Sequence, residues 1–151
     1  MATSSYCTQA DLASAVGGTA ALVELLDRDG DGIVDAALVS SVLLRARSEV
    51  DSALGTVIDL AALVAPYPDV LVYRTADIAA YYAWVEGAKG QAVPAGVRQT
   101  YQDALDWLGE VVTGRRTLGI QSPDPEGRIV ELVDTENAII PMSRRRLRGL
   151  W

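Results

Sequence analysis

Residues 70–87 read VLVYRTADIAAYYAWVEG, and wound as an α-helix this segment carries apolar side chains almost all round its axis. Pro68 and Asp69 supply its start: a proline fits the first turn, and an acid complements the positive end of the helix dipole. A helix of this kind is buried on more than one side, so it is either the centre of a bundle or a helix whose outer face meets another subunit. Tyr81, Tyr82 and Trp84 are the candidate subunit-contact residues on it. Arg74 and Asp77, three apart, are placed to neutralise each other.

Working outward, the segments on either side are helical and amphipathic. Thr8 can cap a short helix that Gly17 and Gly18 end, and Thr19 can cap a second, AALVELL. Asp35 is placed as the N-cap of a helix to Leu54, in which Val39, Val42/Leu43, Ala46, Val50 and Ala53/Leu54 recur every three or four residues. Arg45/Glu49 and Arg47/Asp51 are spaced for pairing along its wetter flank. Residues 55–66 read as a packed connector. A last helix from Pro94 to Gly114 shows the stripe Val97, Tyr101, Ala104/Leu105, Leu108 and Val111/Val112, with Trp107 off it as a further subunit-contact candidate. The expected fold is all-α: a small bundle of two short and three longer helical segments over residues 1–114, with an extended arm at 115–151.

The arm has a different character. It contains three prolines, three glycines and two short strand-like runs, 128–133 and 138–140, with no helical period. Ile129, Leu132, Ile139, Ile140, Leu147, Leu150 and Trp151 make it too apolar to remain wet, so it is expected to dock on a partner. Arg144, Arg145, Arg146 and Arg148 interleave with Leu147, Leu150 and Trp151, the mixture from which interface anchors are built. Residues 1–114 hold 6 basic and 15 acidic residues, against 7 basic and 5 acidic in 115–151. An acidic body with a basic end argues against general nucleic-acid binding and for a protein surface as the partner.

The stretch LLDRDGDGIVDAAL, residues 25–38, leaves two readings open. Asp27, Asp29, Asp31 and Asp35 fall at positions 1, 3, 5 and 9 of a calcium loop, with Gly32 at position 6. Position 12, where a bidentate acid should close the coordination sphere, is Leu38, and the next acid is Glu49. The other reading is a glycine-rich turn whose last aspartate caps the following helix, with no cofactor required.

Catalysis is not expected. With no histidine and one lysine, Lys89, the chain offers a nucleophile no ordinary activating base, and pairs such as Asp103/Asp106 suit a solvated helix face. The single cysteine, Cys7, excludes an intrachain disulfide and reads as a packing residue. Neither a signal peptide nor a membrane span is apparent, so the chain reads as a soluble product of the cytosol.

Taken in order, YCTQADL, LLDRDGDGIVDAAL, RARSEVDSALG, DIAAYYAW, YQDALDWLGEVVTGRRTLG and SRRRLRGL resemble the small head–tail joining proteins of Mu-like tailed phages and prophages. The resemblance implies an adaptor, or head-completion protein, of the virion neck, made in the host bacterial cytoplasm. Such proteins form a ring, commonly of twelve copies, below the portal and continue the DNA channel. The implied partners are the portal protein, neighbouring copies, a stopper or tail-completion protein, and DNA that passes without sequence-specific binding. The rival reading is a calcium-responsive protein-binding module built on Asp27–Asp35.

Overall fold

The computed structural model describes residues 5–88 and 90–119, all of whose regular structure is helical. Five α-helices follow in order: α1 (Gln9–Val16), α2 (Thr19–Leu26), α3 (Ala36–Leu54), α4 (Asp69–Gly87) and α5 (Ala95–Val112), with one 3-10 turn at Leu60–Ala62. The two strand-like runs lie outside the described residues.

Local chemistry sets most of the boundaries. Thr8 opens α1 with a reciprocal cap: its hydroxyl accepts from the Asp11 amide at 3.3 Å, and Asp11 accepts from the Thr8 amide at 2.7 Å. Gly17, left-handed at φ 105°, turns the chain out of α1, and the Gly18 amide closes the end on the Ala13 carbonyl at 2.7 Å. The cap expected at Thr19 is in fact Gly18, and Thr19 is the first residue of α2. With only Gly17 and Gly18 between the two helices, Thr19 has already entered helical geometry. Asp35 caps α3 as expected, accepting from the Ala37 amide at 3.1 Å.

α4 is the centre of the bundle and packs against α1, α2, α3 and α5. Leu71, Thr75, Ala76, Ile78, Ala79, Ala80 and Ala83 are buried and cover more than one face, which is why the helix has no clear apolar stripe in its sequence. The four alanines let neighbouring helices approach closely. Thr75, the one buried polar side chain among the described residues, returns its hydroxyl to the Leu71 carbonyl at 2.7 Å, so its burial leaves no unpaired donor. At the end of the helix, a Cβ on Gly87 would come within 2.9 Å of the Leu25 Cα, so only glycine lets α4 cross α2 there.

α3 buries Val39, Val42, Ala46, Val50 and Leu54, the stripe read from its sequence. α5 buries Ala104, Leu108 and Val111 likewise, but Trp107, expected off the stripe, is also in the core at 4% exposure. An indole beside Leu108 widens the buried face of α5 beyond the narrow stripe that aliphatic spacing marks. The connector after α3 is only partly packed: Leu63 is buried, while Val57 is exposed and Val64 is 70% exposed. Leu118, assigned to the arm by sequence, belongs to the core.

Candidate functional site

The aspartate loop is held by its own backbone. Asp27 accepts from the Gly30 amide at 2.6 Å and the Gly32 amide at 2.9 Å, and these bonds, Gly32 first, hold its carboxyl below the usual range. Asp31 accepts from Ile33 at 2.7 Å. The Asp31 amide also favours the charged form of Asp29, but the carboxylates of Asp31 and Asp27 outweigh it and its pKa is raised. Asp27, Asp29 and Asp31 each bring an oxygen within 4.8 Å of the others, and this is the metal-compatible group among the described residues.

Asp35 is not part of that group; its Oδ1 accepts the α3 cap bond from the Ala37 amide. Leu38 offers no oxygen, and Glu49, the next acid, is engaged elsewhere. Calcium takes six to eight oxygens. Asp27 is half-buried and Asp29 and Asp31 are exposed, and these three carboxylates by themselves do not close that sphere.

Glu49 occupies the junction of the three long helices. Its two oxygens accept from the Tyr82 hydroxyl of α4 at 2.8 Å and the Tyr101 hydroxyl of α5 at 2.9 Å. Burial, then the bond to Glu49, raises both phenol pKa values. Tyr81 stacks on Tyr101 with ring centroids 4.1 Å apart, and the Arg45 guanidinium lies 4.4 Å over the Tyr82 ring. The Arg45/Glu49 pairing expected from spacing is absent. Arg45 reaches Glu86 of α4 at 2.8 Å, and Arg28 of the aspartate loop approaches the same carboxylate at 3.6 Å. A contact between helices won over one along the helix because α4 passes close to the flank of α3.

The other expected pairs form. Arg47 meets Asp51 at 3.1 Å and Arg74 meets Asp77 at 3.4 Å. Asp51 additionally accepts from the Tyr6 hydroxyl, and Tyr6 packs edge-on to Tyr67, which fastens the start of the chain to α3 and the connector. Cys7 is buried, and burial pushes its thiol up to about 11, in keeping with a packing role. Asp103 and Asp106 are exposed on α5.

Of the four subunit-contact candidates, Tyr81, Tyr82 and Trp84 are half-buried and Trp107 is buried. Tyr82 is therefore not an outward position: its hydroxyl and ring both serve the contact with α3. The exposed large apolar residues are instead Ile33, Leu44, Val57, Val64, Val70, Tyr73 and Val85. Three of them, Val70, Tyr73 and Val85, lie on α4, where apolar residues surround the axis and the sequence does not mark which side is exposed. The arm candidates Ile129, Leu132, Ile139, Ile140, Arg144, Arg145, Arg146, Leu147, Arg148, Leu150 and Trp151 lie outside the described residues.

The sequence matches the family model of bacteriophage Mu Gp36 over residues 6–131. The chain belongs to that family. It is thus a Mu-like phage protein, as the order of its motifs suggested. The match takes in all five helices and the start of the arm, and ends before the arginine cluster at 144–148. No curated protein matches the chain. No described helix of this Gp36-family protein is long and apolar enough to cross a membrane.

Proposed function

We propose that this Gp36-family protein is a structural head–tail connector of the virion neck, an adaptor that forms a ring below the portal and continues the DNA channel. The observation that carries the reading is membership of the bacteriophage Mu Gp36 family over most of the chain. Three features support it. The one thiol is buried with a raised pKa, and Tyr82 and Tyr101 spend their hydroxyls on Glu49, which suits packing rather than nucleophilic roles. The acidic body suits a wall past which DNA slides without sticking. Large apolar side chains stand exposed on a small bundle, as in a chain that meets partners.

In this reading the arm docks on the portal or a neighbouring copy, a stopper or tail-completion protein follows below, and no catalysis or cofactor is involved. Deleting residues 143–151 tests it. Truncated protein should remain folded and soluble while heads and tails fail to join. Full, infectious particles assembled with the truncated protein would contradict the arm's role as docking element.

A further inference from the structure

One face of the bundle has the makings of a seat. On α4, Val70, Tyr73 and Asp77 follow at spacings of three and four, so they lie along one line of the helix. Tyr73 is 65% exposed and Val70 is exposed as well. The same line continues to Tyr81, whose stacking on Tyr101 brings α5 alongside. Asp103 and Asp106, three apart on α5 and both exposed, extend the face with negative charge. Asp103 lies near enough to Asp77 to raise its pKa, an effect that comes after burial and is opposed by Arg74. Arg74 is committed to Asp77, and among the described residues neither Asp103 nor Asp106 is in an ion pair; Asp103 accepts only from the Gln99 amide at 2.8 Å.

We propose that the Val70–Tyr73 stripe of α4, with Asp103 and Asp106 of α5 beside it, seats residues 143–151 of a neighbouring copy. The proposal rests on the connector reading and names the partner of its docking arm. Two arguments select the occupant. The first is charge: residues 143–151 hold four arginines and no acid, opposite a face with two unpaired carboxylates. Guanidinium groups can fork onto carboxylates and stack on an exposed tyrosine, while Leu147, Leu150 and Trp151 cover Val70 and the Tyr73 ring. The second is reach: the 32 residues after Gly119 span up to roughly 100 Å when extended, ample for a second subunit. An end that binds a different surface of the next copy makes a head-to-tail contact, the kind that closes into a ring.

The test uses the full chain and, as probe, a synthetic peptide of residues 143–151. Titration followed by NMR should move the amides of Val70, Tyr73, Asp77, Asp103 and Asp106. Affinity should fall at least tenfold for Tyr73→Glu and for the pair Asp103→Arg with Asp106→Arg, and it should weaken with salt. A peptide carrying Arg145→Glu and Arg146→Glu should bind the Asp103→Arg, Asp106→Arg chain better than the original chain. Shifts centred elsewhere, no binding at millimolar peptide, or equal binding by a peptide with Leu147, Leu150 and Trp151 changed to Ala would overturn the seat. If the seat fails while deletion of 143–151 still blocks neck assembly, the connector reading survives and only this inference falls.

Discussion

α4 and the aspartate loop make opposite use of their residues. The loop has the most conspicuous pattern in the chain, four acids and two glycines in nine residues, yet most of its oxygens serve its own turn and the start of α3. α4 has no motif, yet it contacts every other helix and carries Val70 and Tyr73 to the surface. A recognisable spacing of ligand-type side chains is therefore a poor guide to what those side chains contact.

The comparison breaks most visibly at Gly87. Replacing it with Val drives a side chain into the Leu25 backbone, and chemical denaturation should show a loss of about 3 kcal/mol, the upper end for overpacking. A loss below about 0.5 kcal/mol, the scale of ordinary surface changes, would mean α2 and α4 are not held at this spacing. Glu49→Ala comes next. It strips two half-buried phenols of their acceptor and should cost about 1–3 kcal/mol, while Arg45→Ala, which acts at a half-exposed ion pair, should cost less. Equal losses would place the junction on Glu86 instead.

Within the loop itself, Asp35→Ala should cost about 1 kcal/mol through the lost cap, measured by thermal unfolding. The smallest effect is expected from calcium. An open group of three carboxylates belongs at the millimolar end of such loops, and at a concentration equal to its Kd the ion stabilises by only about 0.4 kcal/mol. A micromolar Kd by calorimetry would revive the calcium-responsive module and reverse the comparison.

The helices were legible because their signals are local. Thr8, Gly17 and Asp35 act within one turn, and the stripes of α3 and α5 repeat at helical spacing. The all-round apolar character of α4 marked it as either central or in a subunit contact, and its packing against four helices puts it at the centre. Contacts between distant residues were not legible. Glu49 meets Tyr82 and Tyr101 across 33 and 52 residues, and the nearer Arg45 made a more obvious partner on paper. Trp107 and Leu118 were missed because each sits one step beyond a simple stripe or boundary. For the loop, the sequence showed which ligand was missing and that Asp35 could cap α3, but not that Glu49 was already engaged by Tyr82 and Tyr101.

The most direct test of the connector account is an electron cryomicroscopy reconstruction of the neck of the particle that carries this chain. The account predicts a ring of helical subunits directly below the portal, into whose density α1 to α5 fit, with the acidic body facing the DNA path. A neck in which no density accommodates this five-helix bundle would contradict it.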